Sequence, residues 1–229
     1  MSIDSEAVAA HLGRIQARIT EAGGQLDRVR ICAVTKGFGP DAACAALDAG
    51  LSDVGENYAN ELIDKATAVA AAGYAPRWHM IGTIQRNKVR RLAPHVDLWQ
   101  SVDRIEVGTE IAKWAPGAAV LVQVNATGEA NKGGCALDTT PALVESLTDR
   151  GLAVHGLMTI GPTQSGADPR PAFDAVAELA GRLGLTEVSM GMSGDLEVAV
   201  AAGATMVRVG TALYGPRPRV VTGDSRSGE

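Results

Sequence analysis

Lys36 follows directly on the short apolar run Ile31-Cys32-Ala33-Val34 and Thr35. If that run is a strand ending at the mouth of an apolar barrel, desolvation disfavours the ammonium form. An amine of lowered pKa is a nucleophile for carbonyl groups and forms Schiff bases. The ordinary alternatives are a lysine that snorkels out of the strand end, or one that pairs with Glu56. A second signal lies in Ser193-Gly194 and Gly210-Thr211, small and hydroxyl-bearing pairs that follow two later apolar runs. Barrels build phosphate sites at such strand ends from backbone N–H groups and a helix N-terminus. Ser193 would equally serve as the cap of a helix that starts near Gly194.

Arg208 sits inside Met206-Val207-Arg208-Val209, where period-two alternation puts it on the face opposite its valine neighbours. Directed into a barrel, its guanidinium needs an acceptor, for which an inward carboxylate such as Glu56 is the simplest expectation. A lysine, an anion cradle and an inward arginine together suit an aldehyde that carries a phosphate and a ring nitrogen. Pyridoxal phosphate has that chemistry.

These residues need a scaffold that brings strand ends together. The chain has 229 residues, 46% hydrophobic and 21% charged, enough for a sizeable core. Val8, Leu12, Ile15 and Ile19 recur at helical spacing until Gly23-Gly24, which predicts an N-terminal amphipathic helix. Beyond it, strands are predicted at 31–34, 53–55, 78–81, 98–101, 119–124, 154–158, 187–190 and 207–209. Helical stretches are predicted between them at 40–49, 58–72, 87–93, 107–114, 141–150, 170–183 and 194–201. About eight βα units are what closes a (β/α)₈ TIM-type barrel, here as one domain with an extra N-terminal helix. The rival is a doubly wound sheet. Its dinucleotide fingerprint would fall at Lys36-Gly37-Phe38-Gly39-Pro40, which has two of the three glycines and then a proline. Residues 216–229 read as a flexible tail.

Lys plus Arg is 21 and Asp plus Glu is 26, so the net charge of −5 gives no field for nucleic acid or an anionic membrane. With 3% aromatic residues, stacking platforms for single strands are few. Cys32, Cys44 and Cys135 are scattered, which fits a reducing compartment, and the N-terminus has neither a basic segment nor an apolar core. A cytoplasmic protein is expected. His11, His79, His95 and His155 show no metal-ligand spacing. The basic run 85–91, which includes Lys88, reads as a solvated helix face, with a partner surface as the alternative. Lys132 sits in a loop, 129–134, that either folds over the barrel mouth or stays solvated.

The chain resembles the pyridoxal phosphate homeostasis proteins, a family whose fold is similar to the N-terminal barrel of alanine racemase. The resemblance rests on Ala33-Val34-Thr35-Lys36, Gly55-Glu56-Asn57-Tyr58, Trp78-His79-Met80-Ile81-Gly82, Gln85-Arg86-Asn87-Lys88, Gly156-Leu157-Met158-Thr159-Ile160, Gly191-Met192-Ser193-Gly194-Asp195 and Val207-Arg208-Val209-Gly210-Thr211. It implies that Lys36 holds pyridoxal phosphate as a Schiff base, that Ser193, Gly210 and Thr211 hold its phosphate, and that Asn57 lies near the ring. Arg208 would face the pyridine nitrogen and, as a donor only, keep it unprotonated. His79 is expected either beside the ring or as a core histidine, the second being favoured. The implied role is to bind, buffer and deliver the cofactor to dependent apoenzymes as a monomer, without robust turnover. The rival readings are a Schiff-base enzyme, such as a weak amino-acid racemase or an aldolase, and an interaction module built on the basic face around Lys88. Two-base racemisation needs a proton donor on each face of the cofactor, and none of Tyr58, Tyr74 and Tyr214 is placed opposite Lys36 by the sequence. Gly37-Phe38-Gly39 departs from many relatives in the loop beside Lys36.

Overall fold

In the computed structural model, which describes residues 3–216, every apolar run becomes a parallel strand and nearly every run of helical period becomes the crossover behind it. After helix α1 (Ser5–Glu21) come β1 (Arg30–Val34), α2 (Pro40–Asp48), β2 (Asp53–Glu56), α3 (Ala59–Ala71), β3 (Arg77–Met80) and α4 (Arg86–Leu92). The second half runs β4 (Leu98–Val102), α5 (Ile105–Trp114), β5 (Ala119–Val124), α6 (Thr140–Thr148), β6 (Ala153–Thr159), α7 (Arg170–Arg182), β7 (Glu187–Ser189), α8 (Leu196–Ala201), β8 (Met206–Val209) and α9 (Thr211–Tyr214). The strands pair in sequence order and β8 returns to β1, so the sheet is a closed parallel barrel. The doubly wound alternative is excluded by that closure. Of the tail, residues 217–229 lie outside the described residues.

Two packed layers follow from strand alternation. Outward side chains such as Val54, Trp99, Val120 and Val207 meet the helices in one large core. The barrel interior holds a smaller apolar cluster of Cys32, Leu98, Leu121, Met158 and Met206. Beside that cluster the barrel strands bury His79, Gln100, Ser189 and Arg208. Helix α1 is capped by the Asp4 carboxylate, which accepts from Glu6 N–H and Ala7 N–H, and it buries Val8, Leu12, Ile15 and Ile19. Each such aliphatic side chain contributes roughly 1.5–3 kcal/mol on burial. That face packs against α2, α8 and α9, across the seam where the last strand meets the first.

Candidate cofactor site

The C-terminal ends of the strands surround a cavity of about 220 Å³, lined by Lys36, Asn57, Ser193, Arg208, Gly210 and Thr211 with Val34, Phe38, Ile81, Ile160 and Met192 as apolar wall. Six positions expected from the sequence are thereby brought together from β1, β2, β7 and β8. His79 is the exception. It lies on β3 in register with Gly55, fully buried, with Nδ1 2.7 Å from Gln100 Nε2 and Nε2 2.9 Å from Asp53 Oδ1. Its ring lines no part of the cavity, so the core reading replaces the ring-contact reading.

The backbone around Lys36 and Asn57 is held by a charge cluster that spacing did not reveal. Lys65, on α3 and only 4% exposed, donates to the Thr35 carbonyl at 2.8 Å, to Glu56 at 2.5 Å and to Glu61 at 3.0 Å. Glu56 in turn accepts from Asn57 N–H at 2.7 Å, and Glu61 accepts from Gly37 N–H at 3.3 Å. The peptide groups on both sides of Lys36 are thus tied to one turn of α3. The expectation that Glu56 pairs with Arg208 is corrected, because its buried carboxylate pairs with Lys65 while Arg208 bonds elsewhere. A lysine inside an Ala-rich helix reads as a solvated side chain; only the fold shows that it points inward. Gly82 matters for the same corner, since a Cβ there would overlap the Asn57 carbonyl oxygen.

Arg208 is 5% exposed and finds neutral partners. It donates to Ser189 Oγ and to the Thr159 carbonyl, each at 2.7 Å. Burial pulls its pKa down to about 10, still well above neutrality, so it enters the cavity as a cation. Ser193 does not cap α8, which has Asp195 at its N-cap position; its hydroxyl accepts from Ala212 N–H at 3.1 Å in the first turn of α9. That turn, absent from the sequence reading, places Gly210, Thr211 and Ser193 around one set of N–H groups. Gly210 itself is crowded, with a Cβ there meeting the Val34 carbonyl oxygen at 3.1 Å. Lys132 reaches across to the Gly161 carbonyl at 2.5 Å and to Glu129 at 2.9 Å, which ties the loop after β5 to the loop after β6. The basic run is α4, solvent-facing apart from buried Val89 and Leu92, with Arg90 lying 4.8 Å over the Trp114 ring.

The domain described as "Alanine racemase, N-terminal domain" matches residues 3–218. A pyridoxal phosphate homeostasis protein of Pseudomonas aeruginosa is 40% identical over 222 residues, 92% of this chain and 96% of that one. The chain belongs to the pyridoxal phosphate homeostasis protein family. A Deinococcus radiodurans protein of the same name is 39% identical, across 90% of this chain and 99% of its own length. Among solved structures, PipY of Synechococcus elongatus with PLP bound superposes with a TM-score of 0.76 at 28% identity, covering 91% of this chain and all of that one. An alanine racemase of Clostridium difficile shares the fold at TM-score 0.76 and 13% identity, and the match covers 59% of its length. Among the described residues of this family member, no helix is long and apolar enough to cross a membrane, and no cluster of His, Cys, Asp and Glu is placed to hold a metal.

The donor set fits pyridoxal phosphate. The cavity is smaller than the roughly 300–1,000 Å³ typical of drug-sized ligands, so it suits a single-ring compound. It offers an amine, a donor-only cation and a hydroxyl-and-backbone cradle, with apolar walls between them for a flat ring.

Proposed function

We propose that the chain binds pyridoxal phosphate in this cavity through Lys36 and acts as a carrier and buffer of the cofactor rather than as a turnover enzyme. One observation carries the reading: Lys36, the buried Arg208 and the Ser193/Gly210/Thr211 cradle line the same cavity. Bound there, pyridoxal phosphate would supply an aldehyde for the Lys36 amine, a ring nitrogen for Arg208 and a phosphate for the cradle. Asn57 lines the same cavity and would stand beside the ring. Arg208 can donate but not accept, so an acceptor set against it stays unprotonated, which disfavours carbanion chemistry.

The tyrosines support the same reading. Tyr58 is 61% exposed, Tyr74 hydrogen-bonds Asp48, and Tyr214 donates to the Ala42 carbonyl while burial pushes its phenol pKa up. None of the three lines the cavity, so none stands where a second acid or base would act. Met192, which lines the cavity, is 38% exposed, so the cavity is open to solvent and to a recipient apoenzyme.

The test adds pyridoxal phosphate to the purified protein and to Lys36→Ala, records the visible absorption band, reduces with borohydride and maps the adduct by mass spectrometry. The expected result is a band and a single adduct at Lys36, both lost in the variant, with no D-alanine formed from L-alanine. Label spread over surface lysines would overturn the site, and steady D-alanine production would favour the racemase reading.

A further inference from the structure

Arg208 cannot accept a hydrogen bond, and this one fact propagates through the barrel. Its Nη1 lies 2.7 Å from Ser189 Oγ, so the serine oxygen accepts there and its own hydrogen must go elsewhere. It goes to Gln100 Oε1, at 2.7 Å. With its oxygen turned to Ser189, Gln100 presents Nε2 to His79 Nδ1 at 2.7 Å and to the Met206 sulfur at 3.1 Å. His79 Nδ1 must therefore be the unprotonated nitrogen, which leaves the hydrogen on Nε2, 2.9 Å from Asp53 Oδ1. That last contact is the weakest in the chain, close but oblique for a hydrogen bond. Asp53 is 4% exposed and closes the opposite end of the barrel, beside Arg30 and Arg77 at 3.6 Å each and the Ser52 hydroxyl at 3.0 Å. Every donor in the sequence Arg208, Ser189, Gln100, His79, Asp53 points the same way.

We propose that Ser189, Gln100 and His79 are positioning residues, a directed hydrogen-bond chain that fixes the Arg208 guanidinium at the cavity floor and leaves the His79 ring neutral, with its proton on Nε2 facing Asp53. A different arrangement breaks one of the well-formed hydrogen bonds among Arg208, Ser189, Gln100 and His79. If the Gln100 amide is turned over, Ser189 faces donors on both sides and its hydrogen has no acceptor. If His79 is protonated on Nδ1, its N–H opposes the Gln100 NH₂. Although burial alone would raise it, the Asp53 carboxyl is held below its ordinary range by His79, Arg30 and Ser52, so a carboxylate faces His79 Nε2. The Thr159 carbonyl, 2.7 Å from Nη2, steadies the other arm of the fork.

The inference rests on the pyridoxal phosphate reading only in its last arm, so two measurements are made without cofactor. Nitrogen-15 NMR of the histidines, with His79 assigned through His79→Gln, is expected to show a neutral ring protonated on Nε2; a ring protonated on Nδ1, or an imidazolium at neutral pH, overturns the chain. Arg208 guanidinium protons are expected to exchange about tenfold or more slower than those of exposed arginines, and Ser189→Ala to remove most of that protection. Gln100→Leu gives the same readout if the serine variant does not fold. Unchanged exchange in a folded variant overturns the positioning role. With pyridoxal phosphate added, the folded variants should bind about tenfold more weakly and shift the visible band. Wild-type affinity and spectrum would also overturn the role, whereas a wild-type protein that binds no cofactor would sink the cofactor reading and leave the two cofactor-free results to decide the chain.

Discussion

Glu56 is fully buried, and each of its oxygens has work on the backbone that carries the site. Oε1 accepts from Asn57 N–H and Oε2 meets both Lys65 and the Thr35 hydroxyl. A buried carboxylate is tolerable only while its cation stays in place. Lys65→Met is therefore expected to lower folding stability by about 3–5 kcal/mol, because it strands the charge of Glu56. Adding Glu56→Gln should recover most of that loss, and urea denaturation of the single and double variants measures both. If the double variant is no more stable than the single, charge burial is not the cause. The same cluster shows where reading residues in sequence stops. Lys36, Ser193, Gly210 and Thr211 were legible because they follow apolar runs, and Arg208 because of alternation. Lys65, Ser189 and Gln100 carry no signal of their own. Arg208 satisfies itself on a hydroxyl and a main-chain carbonyl, and any residue type supplies a carbonyl.

At the scale of elements, period and punctuation located the strands to within a residue or two, and closure followed from their number. What they missed is what has no period. The one-turn α9 is too short to show one, yet it supplies Thr211 and the N–H that meets Ser193. The loop after β5 is another such element, fixed by side chains instead of backbone ladders. Glu129 accepts from both the Thr163 N–H and hydroxyl, and from Lys132, and these contacts, Thr163 first, pull its carboxyl down to about 2. A carboxylate depressed in the folded protein adds its stabilisation above its unfolded value of about 4.3 and loses it as pH falls toward the folded value. The stabilisation that Glu129 gives the link between the two loops should therefore be full above about pH 4.3 and fall away progressively between there and about pH 2. Thr163→Val removes the hydroxyl, so a carbon-13 NMR titration of Glu129 should move its midpoint up toward about 4.3. A midpoint that stays put would mean that Lys132 and the residue 163 N–H hold the carboxylate without the hydroxyl.

The whole molecule depends on a seam. A barrel closed in sequence order has one junction between chain-distant strands, and here Ile31 pairs with Val207 and Ala33 with Val209. Helix α1 lies over that junction, with His11 Nδ1 2.8 Å from the Leu213 carbonyl oxygen and Arg18 bonded to Glu197 and to the Ser193 carbonyl. These polar ties are partly exposed and contribute little alone. The buried face carries the energy, and Ile15 is 1% exposed within it. Ile15→Ala is expected to lower stability by about 2–5 kcal/mol through lost burial and the cavity left behind. Two probes then separate a strap from an integral part of the fold. Helix α1 contains no tryptophan, whereas Trp78 and Trp99 are buried in β3 and β4, so far-UV circular dichroism senses α1 and fluorescence senses the barrel. If α1 completes the core, the two urea transitions of the variant coincide and shift together. An early dichroism loss with unchanged fluorescence would show instead that α1 peels away from a barrel that stands without it.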